Sequence, residues 1–272
     1  MRSFSPSPVE MIGSLWRNRE LIRVSTRREV LSRYRGSALG VLWSLVNPLS
    51  MLAIYTFVFG FVFQARWGES LGSRSEFAMV LFAGLMIFNL FGETLSRSPS
   101  LVVNHPNYVK KVIFPLEILP VVTVLAALFQ GLISLGVWLL AHLVFFGLPH
   151  AVALYLPLVI LPFLLIVTGL SWMLASIGVY VRDVSQFIGT TVAALLFMTP
   201  IFYPATALPA EYRRWLYLNP LTTVIEQARD VLYWGRSPDF GLLGAYALAS
   251  VAIAAIGFAW FQKTRKGFAD AL

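Results

Sequence analysis

The chain has 272 residues, of which 58% are hydrophobic and only 12% charged, with a net charge of +8 and no Cys. An average soluble chain holds about 45–50% apolar and about 25% charged residues, so these proportions exclude a soluble globule, a disordered chain and a collagen-like fibre and describe an integral membrane protein. Without Cys there is no disulfide framework, no thiol chemistry, no Cys-ligated zinc and no iron–sulfur cluster.

Residues 1–37 contain eight Arg and no apolar core of the kind a secretory signal needs. From Pro8 to Tyr34 the pattern predicts one helix, with Ile12, Leu15, Trp16, Ile22, Val30, Leu31 and Tyr34 mostly three or four apart and Arg between them. Such a helix lies in the membrane interface. Two uses are open for it: a basic anchor on anionic lipid, and a docking surface for a soluble partner.

Charge-free runs follow at 36–65, 77–92, 118–181, 184–210 and 240–262. A helix crosses about 30 Å of hydrocarbon with about 20 apolar residues. The run at 118–181 is too long for one span and turns at Gly147-Leu148-Pro149-His150. Six helical spans result, at 38–64, 77–97, 117–146, 153–180, 185–203 and 241–262. Lipid cannot satisfy open backbone groups, and runs this continuous are not the alternating strands of a barrel. The fold class is therefore all-α integral membrane, with six transmembrane helices per protomer, an N-terminal amphipathic interface helix at 1–37 and a tail at 263–272.

An even number of spans puts both termini on one side. That side carries 15 of the 21 Lys and Arg: eight in 1–37, three in the 97–117 loop, Arg182, and three from Lys263 onward. The other side has six basic residues, balanced by six acids. The positive-inside rule places both termini in the cytoplasm. The basic excess then marks a cytoplasmic face rather than a nucleic-acid site. On the outside, 204–240 mixes Pro204, Pro209, Pro220 and Pro238 with apolar stretches too short to span. Short external re-entrant helices fit this segment, with an ordinary ordered loop as the alternative.

Sites for chemistry are sparse. There is no G-x-x-x-x-G-K-[ST], so the chain has no phosphate cradle of its own, and no H-E-x-x-H or G-x-S-x-G. His105, His142 and His150 are scattered and predict no metal site. Glu93 is the one acid inside a proposed span, and Arg97 at i+4 suits an intramembrane ion pair. A gating, cargo or proton-relay role is the alternative. Tyr55, Phe59 and Phe63, with Phe57 and Phe61, cover a broad helix face that suits sugar rings and equally suits lipid. Gly36 and Gly40 form one G-x-x-x-G, a weak signal for close helix packing. The residues alone describe a transport protein that takes its energy from elsewhere.

Residues 33–49, RYRGSALGVLWSLVNPL, with Arg27-Arg28-Glu29 before them, resemble the entry to the first span of ABC-2-type permeases of polysaccharide exporters. VVNHPNYVKKVIFPLEILP (102–120) is similar to that family's cytoplasmic loop, and MTPIFYP (198–204) and LNPLTTVIEQARDVLYWG (218–235) to its fifth-span exit and re-entrant helices. KTRKGFADAL (263–272) resembles the tail of O-antigen exporters, so the likeness runs through nearly the whole chain.

The resemblance implies a homodimer in a bacterial cytoplasmic (inner) membrane. Each copy would pair with a soluble ABC ATPase that binds ATP and magnesium, and this chain would hold no cofactor and no catalytic residue. It would export a lipid-linked, O-antigen-like polysaccharide through a channel between the copies. The resemblance places ATPase coupling at Asn104, His105, Pro106, Asn107, Tyr108, Lys110 and Lys111. It places the channel at Trp43, Tyr55, Phe59, Phe63 and Phe88. Arg27, Arg28, Arg33 and Arg35 suit a lipid pyrophosphate, since guanidinium binds phosphate in a bidentate manner; anionic lipid is the equal alternative. An external gate would use Tyr203, Tyr212, Trp215 and Tyr217, with Glu226 and Arg229 holding its helices together.

Teichoic-acid exporters share the entry pattern. Capsular exporters match less well at 33–40 and in the tail, and drug exporters are more distant. Outside this superfamily, a proton-coupled carrier needs clustered intramembrane acids, of which only Glu93 is present. A polyprenyl-phosphate sugar transferase needs converging acids, for which Glu226 and Asp230 are the nearest. A structural assembly subunit would have no channel.

Overall fold

In the computed structural model, residues 5–37, 39–58, 74–110 and 114–272 are described. Among them the chain is helical throughout, without strands. Among the described residues, five helical stretches are long and apolar enough to cross a membrane: Gly40–Val58, Ser75–Ser100, Ile118–Phe146, Ala151–Tyr180 and Phe240–Ala271.

The N-terminal segment forms two helices where the pattern predicts one. Helix α1 (Pro8–Arg17) is capped by the Ser7 hydroxyl, which accepts from the Glu10 amide. It ends at Asn18, whose side-chain amide donates to the Ser14 carbonyl at 2.8 Å, and α2 (Arg19–Ser32) starts afresh. An Asn side chain that bonds nearby backbone competes with helix continuation, so the break has a local cause. Ile22 packs on the start of α6 (Ile118–Phe146), with Ile118 and Val122. Val9, Ile12 and Trp16 stay exposed on α1, the apolar stripe of an interfacial helix.

Gly36 and Gly40 follow with φ of +85° and +52°. A Cβ at either would meet nothing within 4 Å. These glycines turn the chain from α2 toward α3, and among the described residues of this chain they pack against no second helix. Helix α3 (Trp43–Tyr55) comes next and touches α4 (Arg74–Arg97) and α6.

Helix α4 (Arg74–Arg97) is the axis of the protomer. It packs against α3, α6 (Ile118–Phe146), α7 (Leu156–Tyr180), α8 (Val184–Met198) and α10 (Pro220–Arg229). Its residues are apolar nearly all round, as a helix enclosed on every side requires. The Trp138 indole of α6 donates to the Met79 carbonyl at 2.9 Å, so its buried N–H is satisfied. A short helix, α5 (Pro106–Lys110), lies between α4 and α6.

Helix α8 has 15 residues, about 22 Å at 1.5 Å per residue. That is short of the ~30 Å of hydrocarbon, and the chain leaves it in extended conformation at Thr199. Helix α9 (Ala210–Leu218) and α10 follow. The Asn219 side chain caps α10 by accepting from the Leu221 amide and ties it to Thr199 at 2.8 Å. One π turn (Asp230–Trp234) ends at Gly235, φ +62°.

Helix α11 (Phe240–Thr264) starts at an Asp239 cap and lies against α7 along its length. The short α12 (Phe268–Ala271) closes the chain. The α7–α11 contact is backbone on backbone. A Cβ on Gly169 would sit 2.7 Å from the Ile253 carbonyl, and one on Gly257 would collide with the Gly169 carbonyl. We expect Gly257→Leu to cost more than the usual ~1–3 kcal/mol of overpacking, because backbone cannot move aside. The yield of monodisperse protein in detergent is the check; wild-type yield would disprove the tight crossing.

Candidate functional site

The membrane-facing surface has two characters. On α6, α7 and α11, the exposed positions are Leu, Phe, Val, Ile, Ala, Gly, Pro or Trp, apart from Tyr180 at the end of α7 and Lys263 near the end of α11. On α3, α4 and α8 the exposed set also includes Asn47, Ser50, Asn89, Ser96, Ser185, Gln186 and Thr190. Lipid tails favour the first surface; the second needs water or a polar partner. Trp43, Phe57, Phe187 and Phe197 are exposed on the same α3 and α8. Tyr55 is half-buried against the core around α4. Phe88 is only 5% exposed and packs near Phe91 inside the protomer, so it lines no open surface. Phe59 and Phe63 lie outside the described residues.

At the C-terminal end of α4, four charges join into one network. Arg33 reaches Glu93 at 2.5 Å, Arg97 lies 3.4 Å from Glu93, and Arg97 also pairs with Glu29. The network ties α2 to α4. It also divides the four Arg grouped as phosphate ligands. Arg33 is turned to Glu93, while the exposed Arg27, Arg28 and Arg35 line a groove of about 590 Å³ with Ser32, Tyr34 and Val41. The Tyr34 hydroxyl donates to Gln130 at 2.9 Å, and the Gln130 amide donates to the Ser44 carbonyl at 2.9 Å. The mouth of this groove is thereby tied to α6 and to the start of α3.

The loop after α4 is an exposed tip on a buried base. Leu101 and Val102 are buried, and Asn104, His105, Pro106, Asn107 and Lys110 are exposed. The His105 ring bonds to the Leu101 carbonyl at 2.8 Å and stacks on Tyr108 at 5.1 Å; Tyr108 stacks on Phe114 at 4.2 Å. Lys111 lies outside the described residues.

The base of that loop depends on a residue the sequence reading passes over. Glu117 is 6% exposed. Its carboxylate accepts from the Ser14 hydroxyl of α1 at 2.7 Å and pairs with Arg265 at 2.6 Å. Its carbonyl accepts from the Trp172 indole of α7 at 2.8 Å, and Arg265 also donates to the Phe114 carbonyl at 2.8 Å. The available signal was an acid ending a 64-residue uncharged run; its partners, 103 and 148 positions away, carry no local signature.

At the opposite end of the bundle from that network, Tyr212, Trp215 and Tyr217 of α9 are exposed, as aromatics at a membrane–water boundary are. Tyr203 donates to the Phe197 carbonyl at 3.2 Å. Burial and the neighbouring Glu226 raise the Asp230 carboxyl, against the pull of Arg236. Arg229 is a buried staple, 1% exposed. It donates to the Val80 carbonyl at 3.0 Å, Pro200 at 2.6 Å and Ile201 at 3.0 Å, and pairs with Glu226 at 2.8 Å. It holds α10 to α4 and to the turn after α8. Gly84 makes room for it, since a Cβ there would lie 2.7 Å from the guanidinium.

A profile of the ABC-2 type transporter family matches residues 20–233. That is more than half of the chain, and the chain belongs to this family of transporter membrane subunits. Relatives of similar length narrow the likeness. The O-antigen export system permease protein RfbA of Myxococcus xanthus is 27% identical over 266 residues, 97% of this chain and 100% of that protein. Two Klebsiella pneumoniae proteins of the same name are each 23% identical, over 255 and 256 residues, 93% of this chain and 95% of each of them.

Proposed function

We propose that this chain is the permease of an exporter that moves a lipid-linked, O-antigen-like polysaccharide across a bacterial inner membrane. In this reading two copies form the channel, and each engages a soluble ABC ATPase that binds ATP and magnesium. Helix α8 with its exit turn is the fifth of six spans, α9 and α10 are re-entrant at the outer surface, and both termini are cytoplasmic. The observation that carries the reading is the contrast between the exposed surface of α6, α7 and α11, apolar except at the end residues Tyr180 and Lys263, and the mixed surface of α3, α4 and α8. A homodimer joined through the mixed side encloses polar groups and presents the apolar side to lipid. The names of the relatives supply the cargo class.

In this reading the tip at 104–110 docks the ATPase, and the Arg27, Arg28 and Arg35 groove meets the carrier's phosphates. The test is co-purification with the cognate ATPase in detergent, with surface polysaccharide measured in cells. Tyr108→Ala removes both ring stacks and is expected to weaken the complex by about tenfold, the ~1–2 kcal/mol of a well-packed interface residue. If crosslinking finds no nucleotide-binding partner, the proposal fails.

A further inference from the structure

From Phe77 to Leu95, every residue of α4 is buried except Asn89 and the half-exposed Glu93. Asn89, Glu93, Ser96 and Arg97 recur at i, i+4, i+7 and i+8, which is one helix face. Asn89 is the deepest of them, two turns into the membrane from Arg97. Among the described residues its amide has no hydrogen-bond partner, and an amide left in hydrocarbon is costly. On the neighbouring α8, Gln186 and Thr190 are exposed one turn apart, with the Thr190 hydroxyl bonded only to the Gln186 carbonyl at 3.3 Å. Helix α8 touches α4 closely: a Cβ on Gly92 would lie 3.1 Å from Val192.

We propose that Asn89 and Ser96 of α4, with Gln186 and Thr190 of α8, form an uncharged hydrogen-bonding track for the hydroxyl groups of a saccharide chain in transit. This deepens the exporter reading and rests on it. The chemistry of the groups selects the occupant. Amides and hydroxyls both donate and accept, as sugar hydroxyls do, so a track of them tolerates a sliding ligand whose donors and acceptors keep changing register. An ion path would need a free charge, and the carboxylates nearest the track, Glu93 and Glu29, are held by Arg33 and Arg97. Trp43 and Phe187, exposed on α3 and α8, supply apolar surface for the C–H faces of the rings.

The natural chain has no Cys, so single Cys variants report one position each. In inside-out vesicles holding the permease with its ATPase, Asn89→Cys, Ser96→Cys and Thr190→Cys should react with a charged methanethiosulfonate about tenfold or more faster than Leu132→Cys and Leu248→Cys on the apolar side. In cells, Asn89→Leu should lower surface polysaccharide roughly threefold to tenfold, the size of one net hydrogen bond, and Asn89→Gln should keep most of it. Slow labelling of Asn89→Cys, together with a disulfide between its two copies on mild oxidation, would make the residue a contact between protomers and overturn the track. Fast labelling with undiminished export by Asn89→Leu would overturn the sugar contact. Fast labelling in a chain whose deletion leaves every surface polysaccharide intact would overturn the exporter reading instead, and the saccharide track with it.

Discussion

Arg229→Ala should leave little folded protein, and what remains should melt about 10 °C or more below wild type in detergent. The substitution strips the donor from three buried carbonyls, those of Val80, Pro200 and Ile201, and from Glu226. Breaking a buried charge pair costs about 3–5 kcal/mol, and each orphaned buried acceptor adds about 1–3 kcal/mol. Arg229→Lys should recover only part of the loss, because an ammonium cannot spread a planar fork over acceptors on two different segments. Glu226→Gln should cost about 1 kcal/mol: Glu226 is partly exposed, and its amide replacement still accepts from the guanidinium. A melting point for Arg229→Ala within 2 °C of wild type would refute the staple. Arg229 fixes α10 to α4 and, together with Asn219, to the exit of α8. In the exporter reading, motion of the short helices relative to the core is then expected in α9, whose Tyr212, Trp215 and Tyr217 are exposed, rather than in α10.

The spans were legible because hydropathy runs and charge gaps report burial in lipid directly. Glu117 and Phe146, the ends read for the third span, lie within a residue of the observed α6. The short α8 was not legible, because the uncharged run at 184–210 hides the point where Thr199 leaves the helix and Asn219 pulls the turn back onto α10. The i, i+4 spacing of Glu93 and Arg97 pointed to a pair; Glu29 and Arg33, whose partners are 60 or more positions away, gave no local sign of joining it. Phe88 illustrates a limit of a different kind. Periodicity assigns residues to faces but not faces to surroundings, and α4 is apolar on nearly every face because it is enclosed. The same enclosure makes Asn89 informative, since a single polar residue matters most where everything around it is buried.

Glu117→Gln is expected to destabilise the protein by about 3–5 kcal/mol and also to weaken the ATPase complex. The Glu117 and Arg265 side chains are 8% and 11% exposed, so neutralising the acid strands a guanidinium with little access to water. The loss does not stay local. Arg265 holds the Phe114 carbonyl, the Phe114 ring carries Tyr108, and Tyr108 carries His105 at the exposed tip. A change 55 residues from Trp172 in sequence and buried among four elements therefore reaches the loop proposed to dock the ATPase. The control is the double variant Glu117→Gln with Arg265→Gln, which removes both charges and leaves two amides able to bond each other. It should be more stable than Glu117→Gln alone, by the coupling a double-mutant cycle isolates. If the double variant instead loses the sum of the two single losses, Glu117 and Arg265 act independently. The base of the loop is then held by the Ser14 and Trp172 bonds, and the loop proposed to dock the ATPase should keep its affinity in Arg265→Gln.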